Sequence, residues 1–297
     1  MCCQFLDSPI RFRTATHRYC ATLDDVARAE YLSAIVLSNA TALADAIDRC
    51  TTLGIGAFRI TSQMIPLATH PDSGYAIGDL PESAAILSEL ERARALSKQL
   101  DVRLSFHPDQ FVVLNSESEP VVASSLKEME HHARIADLVG AEALTLHAGG
   151  GAGGAEKALG RLDRGIDRLS SRARALLALE NDDRTFGPAQ LLPFCEARDI
   201  AFVYDVHHHR CNRDEMSVEE ASERAAATWK GREPWMHLSS PRDGWSSSNP
   251  RSHAEYIDAS DLPEEWMSRR MTVDVEAKAK ERAVLAIMNN LGSVRET

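Results

Sequence analysis

The sequence predicts an α/β fold, a single (β/α)8 TIM barrel. The chain has 297 residues, a length that suits one large barrel or two ordinary domains. Eight short apolar segments rich in β-branched residues alternate with longer helical patterns, as in a parallel sheet built from βαβ units. No linker-like stretch divides the chain. We therefore expect residues 1–297 to form one domain, with a doubly wound open sheet as the alternative.

The candidate strands are the short apolar segments, and the candidate helices lie between them. In chain order the strands cover residues 2–6, 57–62, 102–107, 143–148, 176–182, 201–207, 235–239 and 271–276. The helices cover residues 24–50, 81–100, 121–139, 156–170, 188–198, 218–228 and 278–291. Within the second helix, apolar residues recur at helical spacing at positions 86, 87, 90, 93 and 96.

Two connecting segments stand out by composition. Residues 149–154, with the sequence GGGAGG, directly follow a candidate strand and are expected to form a pliable loop. Residues 239–261 form a long polar segment rich in proline, serine and glycine. A loop of that length in a compact domain is more often functional than not.

Composition limits the class of protein. The hydrophobic fraction is 44% and the charged fraction 26%, as in an ordinary soluble protein, and no run approaches the length of a membrane helix. The first six residues lack the features of a secretory signal, and the six scattered cysteines suit a reducing cytoplasm. The formal charge of −11 argues at face value against nucleic acid as a partner.

Histidine and carboxylate residues recur at the C-terminal ends of the candidate strands. In a (β/α)8 barrel these ends meet on one face, where imidazole and carboxylate groups together can bind Zn, Mn or Fe. A lone residue of this kind is often structural, but the repetition favours a metal site. The residues at the strand ends are His107, His147, Glu180, Asp205, His237 and Glu276, with His70 and His253 in nearby loops.

Some of the 11 histidines are not assigned by this pattern. Spacing alone does not choose among the three consecutive histidines at 207–209. His17, His131 and His132 fall outside the pattern, and the last two are expected at the surface of a helix.

Seven segments resemble those of the UV damage endonucleases and occur in the same order. They are FRITSQMIPLATHP, RLSFHPDQF, LTLHAGG, LALEND, VYDVHHH, MHLSS followed by RSHAEYI, and VDVEAKAKE. The resemblance covers about residues 56–280. It implies a single barrel related to the three-metal apurinic-site endonucleases. The implied activity is a nick on the 5′ side of UV photoproducts in double-stranded DNA, dependent on two or three divalent ions, typically Mn²⁺, with Fe or Zn also compatible.

The resemblance also implies roles for individual residues. His107, His147 and Glu180 would hold one ion, and Glu180 would bridge to a second ion held by Asp205, His237 and Glu276. A third ion would take His208 and His253. His70 would be a further ligand or a phosphate contact. Bound cations grip a scissile phosphate and activate a water molecule, so the residues expected to be catalytic are Glu180, His237, Glu276 and His70.

The sequence departs from the family where the family contacts DNA. The family reads damage with a Gln-Tyr pair after HPG, whereas here HPDQF supplies Gln110 and Phe111 after Asp109. A family lysine two residues before the strand-seven histidine is replaced by Trp235. We expect Gln110, Phe111, Trp235 and Arg59 to contact the substrate.

The residues leave two other functions open. One is a multinuclear TIM-barrel metalloenzyme, oxidative, hydrolytic or an isomerase, that acts on a small molecule, nucleotide or peptide. The other is a catalytically silent binding barrel.

Three divalent ions would bring the charge of −11 to −5, and the local potential matters more than the total. We expect a monomer without membrane contact. Candidate phosphate contacts are Arg59, Arg184, Arg210, Arg213, Arg242 and Arg251.

Overall fold

The computed structural model describes residues 1–295, with side chains for residues 1–291. Seven parallel strands follow one another in sequence order around a nearly closed TIM barrel, so the predicted fold class is confirmed. The strands are β1 Ala57–Ile60, β2 Arg103–Phe106, β3 Ala143–His147, β4 Leu177–Glu180, β5 Ala201–Asp205, β6 Trp235–Leu238 and β7 Thr272–Val275.

Helices connect the strands and cover the outside of the sheet. They are α1 His17–Cys20, α2 Asp25–Thr52, α3 Ser83–Gln99, α4 Glu119–Val139, α5 Ala155–Asp167, α6 Ser171–Leu176, α7 Pro188–Arg198, α8 Val206–Cys211, α9 Val218–Thr228 and α10 Glu281–Arg295. Short 3-10 helices cover Ile77–Asp79, Ala259–Asp261 and Glu264–Ser268. Local signals fix several ends: Asp24 caps α2 by accepting from the Ala27 amide at 2.8 Å, and Gly140 ends α4 with a φ of 75°.

The first predicted strand, residues 2–6, does not form a ladder. The carbonyl of Met1 accepts from the Arg59 amide at 2.8 Å, and the Cys3 amide donates to the Arg59 carbonyl at 2.9 Å. This is a single parallel bridge between Cys2 and Arg59. Cys3 has a φ of 58°, which turns the chain out of the extended conformation and ends the pairing. The ammonium group of Met1 lies 2.9 Å from Asp274 Oδ1 in β7. Residues 1–3 therefore lie between β1 and β7, in place of an eighth regular strand.

The predicted strand at residues 201–207 ends earlier than expected. β5 stops at Asp205, and the side chain of Asp205 caps α8 by accepting from the His208 amide at 2.7 Å. A carboxylate at this position satisfies a backbone donor of the first helical turn. All three consecutive histidines consequently lie on α8 rather than at the end of a strand.

The interior of the barrel is layered by the alternation of side chains along each strand. Its N-terminal layer holds Trp235, with the Arg103 guanidinium 4.1 Å from the centre of the indole ring. Arg103 also donates to Thr272 Oγ1 at 2.6 Å and pairs with Glu142 at 2.7 Å. Small residues at the strand starts make room for this layer. The cluster consists of Ala57, Ala143, Ala178, Ala201, Val203, Trp229 and Trp235.

One helical histidine is placed differently from the prediction. His132 in α4 is buried, with its ring edge-on to Phe106 and its Nδ1 2.9 Å from the Glu128 carbonyl. The expected surface position of His132 is therefore wrong, because this face of α4 packs against the sheet. All six cysteines are free thiols. Among residues 1–295, no helix combines the length and apolar composition needed to cross a lipid bilayer.

Candidate metal centre

The site forms where inward-facing positions reach the C-terminal ends of the strands. Along β6, Trp235 and His237 point into the barrel, and along β7 and just beyond it Asp274 and Glu276 do the same. The deeper member of each pair belongs to the barrel interior, and the outer member belongs to the site. The same alternation brings Glu180 of β4 into the middle of the group.

Glu180 is the carboxylate around which the site is arranged, and it is buried. Its Oε2 lies 2.8 Å from His107 Nε2 and 3.9 Å from His147 Nε2. Its Oε1 lies 3.0 Å from His237 Nδ1 and 3.4 Å from His208 Nδ1. Each oxygen of Glu180 therefore faces a different set of imidazoles.

The two ring nitrogens of His107 have different neighbours. Nδ1 lies 3.1 Å from the Pro108 carbonyl oxygen, and Nε2 lies 2.8 Å from Glu180 Oε2. Two ligand atoms on one cation, each about 2.1 Å from it, lie about as far apart as Nε2 and Oε2 do. His107 and Glu180 are therefore close enough to bind the same cation.

Asn181 orients two further ligands, and the sequence prediction did not include it. The backbone carbonyl oxygen of Asn181 lies 3.0 Å from His208 Nδ1, and this contact directs Nε2 of the His208 ring away from the backbone. Its side chain donates to the Asp205 carbonyl at 2.8 Å and accepts from the Asp205 amide at 2.9 Å. Supports of this kind fix metal ligands in position. Its place directly after Glu180 is the only sequence signal for this role.

The donor atoms fit divalent cations. His107, His147 and Glu180 each offer one ligand atom within 4.8 Å of the others, and so do Glu180, Asp205 and His237. Two buried atoms here, His147 Nδ1 and Asp205 Oδ2, have no hydrogen-bond partner among the described residues. Buried polar atoms are seldom left unpaired without a function. Most of the predicted ligands for the first two ions are therefore brought together around Glu180.

Charge in the site is balanced within the protein. Burial raises the pKa of Glu276, but Arg59 and His237 outweigh it and hold that pKa well below its usual range. Burial lowers the pKa of His237, but Glu180 outweighs it and raises the pKa. Burial together with the charges of Glu180 and Glu276 raises the pKa of Asp205. The carboxylates and imidazoles thus form one interacting group.

Arg59 lies in the wall of this centre. Its Nη2 is 2.5 Å from Glu276 Oε1 and 3.1 Å from His237 Nε2, and its Nε is 3.2 Å from Asp274 Oδ2. Burial raises the pKa of Asp274, but the Met1 ammonium and Arg59 outweigh it and lower that pKa to about 2. Arg59 therefore positions Glu276 as well as bordering the open groove beside it.

His70 lies in the loop after β1 with its ring held by the backbone. Its Nδ1 accepts from the amides of Asp72 at 3.2 Å and Ser73 at 3.3 Å, so the proton of the neutral ring is on Nε2. The ring of His17 stacks on the ring of His70, with 4.3 Å between the ring centres. The Nδ1 atom of His17 lies 2.7 Å from Ser73 Oγ. His17, His70 and Asp72 offer ligand atoms within 4.8 Å. The tautomer nevertheless favours a donor to phosphate over a metal ligand.

The predicted ligands of the third ion lie close to the centre but form a looser group. His253 Nδ1 is 3.7 Å from Glu276 Oε2, and the His253 and His208 ring centres are 6.3 Å apart. The third ion stays a prediction.

The predicted substrate contacts divide into two kinds. Gln110 and Phe111 lie on the loop after β2, and Phe111 is 77% exposed although it is a large apolar residue. Trp235 is 1% exposed, one layer below His237. The predicted contact of Trp235 with the substrate is therefore wrong, because its ring fills the barrel interior beneath the site.

Fold and site together define a class: a TIM barrel with a group of histidines and carboxylates, arranged around one buried glutamate, at the C-terminal ends of its strands. Comparison with known proteins narrows the class. The UV-endonuclease UvdE family model matches residues 2–297, and the chain belongs to this family.

Individual relatives agree with this assignment. The UV DNA damage endonuclease of Bacillus velezensis is 32% identical over 294 residues, which cover 95% of this chain and 89% of that protein. The crystal structure of SacUVDE superimposes with a TM-score of 0.86 at 26% identity, covering 100% of this chain and 98% of that one. Endonuclease IV from Thermus thermophilus has a TM-score of 0.62 at 17% identity, covering 84% of this chain and 94% of that one, which shows a shared fold.

Proposed function

We propose that this member of the UvdE family is a divalent-metal-dependent endonuclease that nicks double-stranded DNA on the 5′ side of UV photoproducts. The observation that carries the proposal is Glu180, whose two buried oxygens face separate groups of imidazoles. A centre with two cations in this relation suits the displacement of an oxygen from a phosphodiester. The relatives named above as UV DNA damage endonucleases support the choice of substrate.

The proposed ligands are those that the family resemblance implies, and the contacts around Glu180 support most of them. His107, His147 and Glu180 would hold one ion, Glu180 with Asp205, His237 and Glu276 would hold a second, and His208 and His253 would hold a third. Bound divalent ions supply Lewis-acid stabilisation of the phosphate and lower the pKa of a bound water molecule. Mn²⁺ suits the mixed carboxylate and imidazole donors, and Fe or Zn is compatible with them.

The residues around the ions position the substrate and balance its charge. Arg59 holds Glu276 in place through a partly buried ion pair. His70 donates from Nε2 to a phosphate oxygen of the DNA backbone. Phe111 stacks on a base at the lesion, since an exposed aromatic ring can stack on any unstacked base.

A basic groove beside the centre reconciles DNA binding with the acidic chain. A cavity of about 440 Å³ next to Glu276 and His253 is lined by Arg59, Arg251, Lys278 and Lys280. Screening confines electrostatic attraction to about 8–10 Å at physiological salt, so these local cations matter more than the net charge of −11. The sequence prediction did not include the two lysines.

Most of the predicted phosphate contacts are paired with carboxylates, including Arg59 and Arg251 in the groove. Arg210 lies 3.3 Å from Asp261, and Arg242 lies 2.8 Å from Asp243. Asp183 lies 3.1 Å from Arg251 and 3.7 Å from Arg184. We therefore propose that the DNA backbone lies along the groove lined by Lys278 and Lys280. The cytoplasmic location and the monomeric state stay predictions.

Nicking of UV-irradiated supercoiled plasmid in Mn²⁺ tests the function. We expect the relaxed form to accumulate on irradiated plasmid only, and chelation to stop it. Mapping the nick on a duplex with one defined photoproduct then gives the cleaved bond. Equal cleavage of irradiated and intact plasmid, or cleavage that survives chelation, would contradict the proposal.

A further inference from the structure

His17 is a partly buried histidine on α1 that the proposed mechanism does not use. Its ring stacks on the ring of His70, with 17° between the ring planes and 4.3 Å between the ring centres. His70 lies in the loop after β1, at the end of the barrel that carries the metal centre. The face that binds DNA in the proposed function therefore carries two adjoining imidazoles, of which only one has a role.

Both rings are held through Ser73, which is buried. The Ser73 amide donates to His70 Nδ1 at 3.3 Å, and the Ser73 hydroxyl lies 2.7 Å from His17 Nδ1. Among the side chains that the structure describes, this hydroxyl has no other acceptor, so donation to His17 Nδ1 satisfies it. The proton of the neutral His17 ring is then on Nε2, as it is in His70.

The Nε2 edges of the two rings lie on one side of the stack. Both Nδ1 atoms face Ser73, and the ring planes are nearly parallel. Both Nε2 atoms are therefore directed away from Ser73, about one ring spacing apart. Two N–H donors at this separation can reach two oxygens of the same phosphate group.

A cation is the alternative occupant, because His17, His70 and Asp72 each offer one ligand atom within 4.8 Å of the others. The stacking argues against it. The lone pair of an imidazole nitrogen lies in the plane of the ring. In two nearly parallel rings these lone pairs run side by side instead of converging on one ion. Nδ1 of His70 is also occupied by two backbone amides.

The surroundings of the two rings are rigid and basic. Gly74 approaches the loop so closely that a β carbon there would lie 2.6 Å from the His70 carbonyl oxygen, which restricts this position to glycine. Lys127 of α4 donates to the Thr69 carbonyl at 2.7 Å. Residues 8–23, which include α1, contain three arginines and no carboxylate. A fixed pair of donors in such surroundings suits an anion.

We propose that His17 and His70 form a paired-imidazole site that binds one phosphate of the DNA backbone through both Nε2 atoms. The proposal rests on the proposed function, which gives this contact to His70 alone, and deepens it. His17 supplies a second donor and holds the ring of His70 by stacking. Because the rings are stacked and hydrogen-bonded before DNA arrives, little ordering is required on binding.

Methylphosphonate interference tests the shared phosphate. Fluorescence anisotropy in EDTA gives the affinity for a duplex with one defined photoproduct, in which one phosphate at a time is replaced by a neutral methylphosphonate. We expect the native protein to lose about ten-fold or more in affinity at one position, because hydrogen bonds to charged groups are the stronger ones. His17→Phe keeps an aromatic ring on His70 but has no Nε2. It should lose the sensitivity at that position, and His70→Phe should lose it at the same one.

Tyr19→Phe, on the same helix, is the matched control and should keep the native pattern. His17→Gln restores an N–H donor without the ring, so it should bind the unmodified duplex more tightly than His17→Ala does. This second pair keeps the test decisive if His17→Phe does not fold, and equal binding by the two would overturn the proposal. Native sensitivity at every phosphate in His17→Phe, or loss at different phosphates in the two phenylalanine variants, would also overturn it. So would a sensitivity that appears only after Mn²⁺ is added, since that result indicates a cation site.

The failure of the proposed function has a different signature. If the chain does not act on UV lesions, the native protein shows no preference for the photoproduct duplex and no nicking in Mn²⁺. If only the role of His17 is wrong, the native protein nicks irradiated DNA and has its sensitive phosphate, and His17→Phe keeps both.

Discussion

Replacing Glu180 by glutamine removes the charge at the centre of the site with almost no change in shape. Four imidazole nitrogens lie within 2.8–3.9 Å of its two oxygens, two on each side. The amide offers one neutral acceptor, and its NH₂ group faces an imidazole where the ion requires a ligand. We expect Glu180→Gln to lose both ions that the carboxylate bridges.

The magnitude follows from what the ions supply. Lewis-acid stabilisation by a bound ion is worth several kcal/mol, and each 1.36 kcal/mol is a factor of ten in rate. A loss of about 4 kcal/mol of transition-state stabilisation therefore lowers the nicking rate by about a thousand-fold. The same variant also removes the anion that helps to raise the pKa values of His237 and His208, so the metal-free protein is expected to lose about 3–5 kcal/mol of stability.

Two measurements on the same preparation read this out. Single-turnover nicking of irradiated DNA gives the rate, and elemental analysis after gel filtration gives ions per chain. Glu223→Gln, at an exposed position on α9, is the control and should match the native protein in both. A folded Glu180→Gln protein that keeps two ions and nicks within ten-fold of the native rate would refute the bridging role.

Three further predictions concern separate parts of the molecule. Phe111 is 77% exposed, so Phe111→Ala should leave the melting temperature unchanged. Because the stacking contact is lost, KM for irradiated DNA should rise about ten- to hundred-fold, whereas Phe111→Tyr should stay close to native. An unchanged KM in Phe111→Ala would argue against stacking. Trp235→Ala should lower the free energy of unfolding in urea by about 3–5 kcal/mol and leave KM unchanged, because the ring is buried in the barrel interior. A changed KM without loss of stability would instead support a contact between Trp235 and the substrate. His131 is partly buried, and the loss of hydration lowers its pKa to about 3 from 6.5. Between pH 3 and pH 6.5 the unfolded chain therefore binds more protons at this residue than the folded chain does. As a result, His131 lowers the free energy of unfolding as the pH falls below 6.5, by at most about 1.4 kcal/mol per pH unit. His131→Gln should flatten that dependence in urea unfolding followed across pH, and an unchanged slope would contradict the assignment.

The strand-end residues could be predicted because one periodicity controls them. Side chains alternate along a strand and the C-terminal ends of parallel strands converge, so Glu180, Asp205 and His237 are brought together from distant parts of the chain. The same rule explains the error at Trp235. It lies two residues before His237, shares the inward face, and therefore lies one layer deeper in the barrel.

Other features depend on contacts that a sequence pattern does not record. Residues 2–6 have an apolar composition suited to a strand, but pairing ends where Cys3 adopts a positive φ. β5 ends at Asp205 because the side chain of Asp205 caps the next helix by accepting from the His208 amide. The burial of His132 depends on which face of α4 meets β2. Asn181 is recognised as a support only once its bonds to Asp205 and His208 are seen.

The most direct test of the central claim is the metal-dependent nicking of irradiated duplex DNA by the native chain. Chelated protein should be inactive on UV-irradiated plasmid and should regain nicking as Mn²⁺ is added back, with intact plasmid uncut throughout. Full activity after exhaustive chelation would contradict a catalytic metal centre. Stoichiometric metal binding without any cleavage of irradiated DNA would leave the centre in place and contradict its assignment to UV lesions.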